Sequence, residues 1–451
     1  MAPPPRAHPH PARPMRQAPR LATHNPGLVR PARPTPPGRG GAARKQPPSM
    51  AATQPDPPPA AGFRLLERAG GALLPQAALV STARAAWNGA WRAMVTELAP
   101  QDGGGAYERP PSSFPLAGGP AALGGPAWPL TGAGRYRLYL GNACPWCHRV
   151  AATAYLRGWA VYNEPPGQGA GGASPAYFAV TRLADDPARA RRGGWVVEGG
   201  RGAADPLTGS PDLKGVSDAL APGGAYRGRC TAPLLVDGAA RRIVSNDSAA
   251  LTVALDSAAV PGVTSPVRLR PPDLVATIDA LNADLYARVC NGVYRCGFAT
   301  GQAAYAAAAA GVAAGLDAAD ATLADSRFLT GPRLTDADVR LFPTVVRLDA
   351  AYGPLFRATA TPLADGWPHL AAWAADLWRL RVGEGGLALG PATVDLEAAR
   401  ASYYASLFPL NPSGILPVQP AGVAWFGGAA GADAAAGRGG TGMEEVFHLR
   451  E

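Results

Sequence analysis

Two cysteines three positions apart, Cys144 and Cys147, with Pro145 and Trp146 between them, carry the clearest chemistry in this chain. A cysteine at a helix start sits beside backbone N–H groups that have no partner in the helix, at the positive end of the helix dipole. Both favour thiolate over thiol, which makes Cys144 a nucleophile at neutral pH. Cys147 has two readings that the residues leave open: a thiol that resolves a mixed disulfide on Cys144, or a small buried residue one turn into the helix. Half a zinc site is the competing reading of the pair. The chain has no second CxxC and no HxxxH, Cys290 and Cys296 are separated by five residues, and Cys230 stands alone, so thiol chemistry without a metal is expected. These last three cysteines read as inert. His148 and Arg149 are close enough in sequence to add positive potential at Cys144.

A thiol at that position needs a strand to deliver it and a helix to carry it. Arg135 to Leu140, RYRLYL, alternates polar and apolar residues and reads as a strand, Gly141 to Ala143 form a short loop, and Pro145 opens a run of good helix formers. Strand, short loop, cysteine pair and helix are the βα opening of a thioredoxin-like α/β fold. The stretch from about Pro165 to Arg229 reads as loop-rich. Ala232 to Val236 and Arg241 to Val244 read as strands joined by a turn at Asp237 and Gly238, followed by a helix from Ala249 to Ser257. Ala232-Pro233 lies where such folds place a cis proline that turns the preceding backbone toward the cysteine, and X-Pro bonds are those in which cis costs little. Asp247 and Ser248 offer a carboxylate for a ligand amine, and a hydroxyl with N–H groups for a ligand carboxylate, as well as an ordinary N-cap.

Beyond Pro261, Pro266, Pro271 and Pro272 the pattern is helical throughout: Asp273 to Asn291, Gln302 to Asp325, Asp336 to Tyr352, Trp367 to Leu380 and Leu396 to Leu407. Thr335 to Asp338 is a capping box with a folding role. The alanine-rich run from Ala303 to Leu316, broken by Gly311 and Gly315, reads as a packed helix and not a membrane span. Upstream, Phe63 to Leu98 reads as helical, with Trp87, Trp91, Met94 and Leu98 on a face that must dock. Gly427 to Gly442 reads as disordered. The expected organisation is a leader at 1–60, an extension at 61–134, a thioredoxin-like domain at 135–258, an all-helical domain at 259–420 and a mostly disordered tail at 421–451.

The formal charge of +9 belongs almost wholly to the leader, which holds nine basic residues against the single acid Asp56; the rest of the chain is nearly neutral. That excludes a basic, nucleic-acid-binding reading of the whole protein. With 18 of the 49 prolines and few aliphatic side chains, residues 1–60 are expected to be disordered. Their Arg-rich, acid-poor composition without an apolar core segment fits an organelle transit peptide. A chloroplast is the expected destination, with a mitochondrion or the cytoplasm as alternatives. Five cysteines, an odd number, point to a reducing compartment.

The segments RYRLYLGNACPWCHR, TAPLLVD with IVSNDSAAL, NGVYRCGFATGQAAY, RFLTGPRLTDADVRLFPTVVRLDAAY and YYASLFPLNPSGILP, in this order, resemble the xi-class glutathione transferases, the glutathionyl-hydroquinone reductases. The resemblance covers about Arg135 to Pro420. It implies a thioredoxin-like domain followed by an all-helical glutathione-transferase C-terminal domain, a homodimer, glutathione as co-substrate, and removal of glutathione from aromatic quinol adducts through a mixed disulfide on Cys144. By position it implies that glutathione is held by Trp195, Arg229, the backbone of Ala232 beside Pro233, and Asp247 with Ser248. It places the aromatic substrate against Tyr294, Tyr352 and Tyr404, with Tyr403 as the alternative to Tyr404. A phenol suits that task, because its face stacks on a flat ring and its hydroxyl bonds an oxygen.

Three positions depart from the family pattern. Cys147 stands where a small non-cysteine residue is usual, and CPWC resembles the iota-class transferases of photosynthetic organisms. Asp247 replaces Glu, and Leu407 replaces an expected His. Two other functions therefore stay open: a dithiol, glutaredoxin-like oxidoreductase, and a module that binds glutathione or aromatic ligands without turnover. The intact Cys144 weighs against the second, since binding alone needs no thiolate.

Overall fold

The computed structural model describes residues 76–131, 134–159, 178–260, 262, 264–382, 387–418 and 442–450. The leader at 1–60, the expected helical residues 63–75 and most of the tail lie outside them.

The first half is built on a five-stranded mixed sheet. Strands β1 (Tyr136–Gly141), β2 (Phe178–Asp185), β3 (Trp195–Val197), β4 (Leu234–Asp237) and β5 (Arg242–Ser245) lie in the order β3-β2-β1-β4-β5. β1 pairs with β2 in parallel and with β4 antiparallel, so Leu138 sits between Val180 and Leu235. β2, β3 and the helix Leu213–Leu220 correct the loop-rich reading of 165–229. Asp212 caps that helix by accepting the Gly215 N–H at 2.8 Å.

Helix α1 (Gln76–Leu98) precedes this sheet, and α2 (Pro145–Leu156) follows β1. The end of α2 explains why it stops at residue 156. Gly158 has φ 70°, a left-handed conformation that costs glycine little, and the Trp159 N–H returns to the Ala154 carbonyl at 2.8 Å. α3 is the Leu213–Leu220 helix, and α4 (Ser248–Ser257) lies beside α2.

The second half is helical, as expected: α5 (Val275–Leu285), α6 (Gly292–Phe298), α7 (Gln302–Asp325), α8 (Asp336–Val345), α9 (Leu363–Gly366), α10 (Pro368–Arg379), α11 (Leu389–Thr393) and α12 (Leu396–Ser406). Two single π-turns, Tyr286–Cys290 and Leu348–Tyr352, interrupt the longer expected helices. The Asp338 carboxylate accepts the Thr335 N–H at 3.0 Å, the Leu329 N–H at 2.9 Å and the Trp373 indole N–H at 3.0 Å, so the capping box also ties α8 to α10. Leu316, Phe342, Phe356 and Trp373 are fully buried in this half, and such side chains each contribute about 1.5–3 kcal/mol. Trp146 packs against the cores of both halves. Near the C-terminus, β7 (His448–Leu449) pairs with β6 (Val267–Arg268). Among the described residues no helix is long and apolar enough to cross a membrane.

Among the described residues, the apolar face of α1 docks only at its C-terminal end. Trp91 donates to the Pro409 carbonyl at 3.0 Å, and Val95 packs with Ala99, Tyr107 and Phe298. Trp87, one turn earlier, is 61 % exposed, because the surface that receives the helix reaches only its last turns.

Candidate active site

Cys144 is the N-cap of α2, in extended backbone at φ −75° and ψ 118°, and its sulfur accepts the Cys147 N–H at 3.3 Å. The Ala232-Pro233 peptide bond is cis, and the Ala232 carbonyl lies 3.6 Å from the Cys144 sulfur. Burial alone raises the Cys144 pKa. The Cys147 thiol and the N–H groups of Cys147 and Trp146 donate toward the sulfur and the Arg347 charge lies near it, so the net shift is downward. Cys147 moves the opposite way. Burial, followed by the hydrogen bond to Cys144 and the charge on it, holds its thiol well above the ordinary value. All five cysteines are free and buried.

His148 does not add the positive potential expected of it. Burial and the Arg347 charge hold its pKa far below the usual range, so it is neutral. Arg149 turns the other way along α2. Its guanidinium donates to the Ser248 hydroxyl at 3.1 and 2.5 Å and lies 4.9 Å from the Trp146 ring. Burial and the neighbouring Arg340 lower its pKa to about 10, which leaves it charged at neutral pH.

Arg229, Ala232, Pro233, Asp247 and Ser248 line one cavity of about 550 Å³, within the range of small-ligand sites. Asp247 caps α4 with one oxygen, which accepts the Ala249 and Ala250 N–H groups at 2.9 and 3.2 Å. Arg229 is held by the Leu98 carbonyl at 3.4 Å. Cys144 and Trp195 are not among the lining residues. The Trp195 ring covers Gly141, three residues before Cys144, so closely that a Cβ on Gly141 would overlap it.

Three of the tyrosines meet. The Tyr294 hydroxyl lies 3.3 Å from that of Tyr352 and 2.8 Å from that of Tyr403, and Tyr352 and Tyr403 lie 2.8 Å apart. Burial raises all three pKa values, so each remains a neutral phenol that can donate. Both Tyr294 and Tyr352 lie near enough to Cys144 to feel its charge. Tyr404 stands outside this ring of hydrogen bonds: among the described residues its hydroxyl is buried without a hydrogen-bond partner, and its ring lies beside Arg400. Neighbours on a helix point about 100° apart, so only one of Tyr403 and Tyr404 can face the other tyrosines.

Several site residues carry no local signal. The extension sends Tyr107 to Ser113 along the cavity wall. Phe114 is fixed beside the cavity, where its N–H reaches the Asn246 side chain at 2.9 Å and its carbonyl takes the Ser245 hydroxyl at 2.9 Å. Arg109 bridges the two halves. It donates to Asn291 at 2.8 Å and lies 4.5 Å from the Trp146 ring and 5.1 Å from the Tyr294 ring.

A thioredoxin-like sheet with a cis proline beside an activated cysteine, followed by an all-helical half, defines a glutathione transferase. Residues 302–376 match the model of the glutathione S-transferase C-terminal domain. The chain is 36% identical over 294 residues to glutathionyl-hydroquinone reductase PcpF of Sphingobium chlorophenolicum, a match covering 64% of this chain and 83% of that protein. It is 32% identical to glutathionyl-hydroquinone reductase YqjG of Escherichia coli, over 70% of this chain and 90% of that one. The glutathione-bound structure of YqjG matches with a TM-score of 0.55 at 30% identity, covering 64% of this chain and 86% of that chain. The xi glutathione transferase of Phanerochaete chrysosporium matches with a TM-score of 0.59 at 28% identity, covering 70% and 98%. The chain therefore belongs to the glutathionyl-hydroquinone reductase family, the xi class of glutathione transferases, and is a glutathione-dependent reductase.

Proposed function

We propose that this enzyme removes glutathione from glutathionyl-hydroquinones through a mixed disulfide on Cys144. The observation that carries the reading is the position of Cys144, with donors aimed at its sulfur, beside both the Ala232 wall of the cavity and the tyrosine cluster. Glutathione occupies the cavity, with its amine toward Asp247, a carboxylate toward Ser248 and Arg229, and its backbone along Ala232; Trp195 backs the loop that carries the thiol. The Cys144 thiolate attacks the glutathione sulfur. A sulfur–sulfur bond forms, the ring carbon–sulfur bond breaks, and the ring carbon keeps the electron pair and takes a proton. A second glutathione, as thiolate, attacks the mixed disulfide, which releases oxidised glutathione and restores Cys144. Tyr294, Tyr352 and Tyr403 hold the quinol oxygens.

The Cys147 thiol, hydrogen-bonded to Cys144, favours a second reading: a dithiol oxidoreductase of iota-class type that acts on glutathionylated proteins. Turnover of glutathionyl-menadiol and of a glutathionylated peptide by wild type, Cys144→Ala and Cys147→Ala separates the two. Adduct turnover retained by Cys144→Ala removes the mechanism. Peptide reduction lost in Cys147→Ala while its adduct turnover is kept moves the assignment to the dithiol reading, and no turnover by any form favours a binding module.

The family resemblance supports a homodimer, which light scattering tests. The composition of residues 1–60 supports a plastid address. A mature protein whose intact mass still includes those residues contradicts it.

A further inference from the structure

Arg347 follows α8 in the chain, in the helical half, yet its side chain belongs to the thiol. It is 1% exposed. Nε donates to the Ala143 carbonyl at 3.1 Å and Nη2 to the Asn142 carbonyl at 2.9 Å, the two residues immediately before Cys144. Nη1 donates to the Pro343 carbonyl at 2.9 Å and to His148 Nδ1 at 2.9 Å. Every one of these acceptors is neutral.

A guanidinium does not lose its proton in a protein, and a buried charge is costly unless a counter-charge accompanies it. Among the described residues no Asp or Glu pairs with Arg347. Asp349, two residues on, spends its carboxylate on the Leu363 N–H. Asp395, whose N–H donates to the Asn142 side-chain oxygen at 2.9 Å, accepts the Ala398 N–H with its own carboxylate. His148 cannot answer the charge: its Nδ1 accepts from Arg347, so the ring proton is on Nε2, which faces the Thr393 hydroxyl at 2.9 Å. Of the remaining titratable groups that feel Arg347, Tyr352, Tyr403 and Cys147 all stay protonated. Cys144 is what remains, and it follows directly on the two pinned carbonyls.

We propose that Arg347 is the buried counter-ion of the Cys144 thiolate and the positioning residue of its loop, a fixed charge supplied by the helical half to the nucleophile of the other half. The arrangement works in both directions. The thiolate gives the guanidinium its missing counter-charge, and the guanidinium fixes Asn142 and Ala143 so that the sulfur meets the free N–H groups of α2. His148 serves as a neutral spacer in a chain from Arg347 to Thr393.

The proposal rests on Cys144 as the attacking thiolate. Its test is the pH dependence of iodoacetamide alkylation of the full chain, with the Cys144→Ala background subtracted. Wild type is expected to react with a midpoint below the ordinary thiol value of about 8.5. Arg347→Gln keeps a donor for the carbonyls but carries no charge, and Arg347→Met removes both. Each is expected to raise the midpoint by about one unit or more, roughly tenfold less thiolate at neutral pH. Arg347→Lys keeps the charge without the planar fork and is expected to stay within about half a unit of wild type. Tm is followed in parallel, since a merely structural arginine would lower Tm in all three variants without moving the midpoint. A folded Arg347→Gln with the wild-type midpoint overturns the proposal. If neither neutral variant folds, Arg347→Lys decides, and a midpoint at the free-thiol value overturns it. No quinol adduct enters the measurement, so a wrong substrate assignment and a wrong role for Arg347 give separate failures.

Discussion

The hydroxyls of Tyr352 and Tyr403 lie 2.8 Å apart, although one comes from a π-turn after α8 and the other from α12. With Tyr294 they close a three-membered ring of hydrogen bonds in a buried site. On the proposed substrate assignment, a quinol oxygen that enters replaces one of these bonds with an equivalent one.

Removing a single hydroxyl from that ring tests whether it meets substrate. Tyr294→Phe and Tyr403→Phe are each expected to lower kcat/KM for a glutathionyl-hydroquinone about threefold to tenfold, the worth of one net hydrogen bond. Tyr404→Phe is expected to stay within about twofold of wild type, because its hydroxyl lies outside the ring. Steady-state kinetics on the four proteins decides, and equal losses at Tyr403 and Tyr404 would contradict the geometry.

The choice between Tyr403 and Tyr404 shows where the sequence stops being informative. Both are aromatic, adjacent and helical, and only packing across to Tyr352 selects one. What was legible was local: the cysteine pair with Pro145 after a strand, Ala232-Pro233, the Asp247 cap, and the helix Gln302–Asp325, whose bounds the pattern predicts. β2, β3 and α3 were not, because Gly, Pro and Arg around them dilute the apolar pattern and short strands are stabilised mainly by the neighbours they pair with. Arg109 and Arg347 act across 182 and 204 residues of chain, a separation that leaves no local trace. A single arginine inside the apolar run LFPTVVRL was the hint available for Arg347.

Arg109 reports on the extension. Its guanidinium is placed against Trp146 and Tyr294, each contact worth about 0.5–2 kcal/mol, and its Nε hydrogen bond to Asn291 adds to them. Arg109→Ala is expected to lower unfolding free energy by about 1–3 kcal/mol. Arg109→Lys is expected to recover less than half of that, because an ammonium loses the planar stacking. Urea denaturation measures both, and a loss in Arg109→Ala too small to detect would mean that the extension is not held through this residue.

Asp338 gives a pH dependence whose sign can be worked out. Burial pushes its pKa up to about 6, against the opposing pull of the Leu329 and Thr335 N–H groups and the Trp373 indole. Its ordinary value is 3.8, so between about pH 4 and pH 6 the folded protein holds the proton more often than the unfolded chain does. This group's contribution to stability therefore falls as pH rises through that window and is flat above it. Asp338→Asn is expected to remove that slope while costing about 0.5–2 kcal/mol at pH 7, because one face of the capping box loses its carboxylate. Urea midpoints of wild type and variant across pH 4–7 check it. A difference between them that grows as pH rises through the window would reverse the assignment.

Gly141 and Trp195 offer a sharper test of the wall beside the thiol. A methyl group on Gly141 would overlap the Trp195 ring, and the ring cannot retreat freely because Trp195 is paired in β3 against Asp185 of β2. Gly141→Ala is therefore expected to cost about 1–3 kcal/mol, the usual range for overpacking. It is also expected to weaken glutathione binding, since the displaced ring shifts the loop that carries Cys144. Trp195→Ala alone is expected to destabilise through lost burial. The double variant recovers space for the new methyl group, so its loss should be smaller than the sum of the two single losses. Thermal unfolding and glutathione titration of the four proteins measure both effects. Additive losses would mean that the ring and the glycine do not touch in solution, and that Trp195 does not act on glutathione binding through the Cys144 loop.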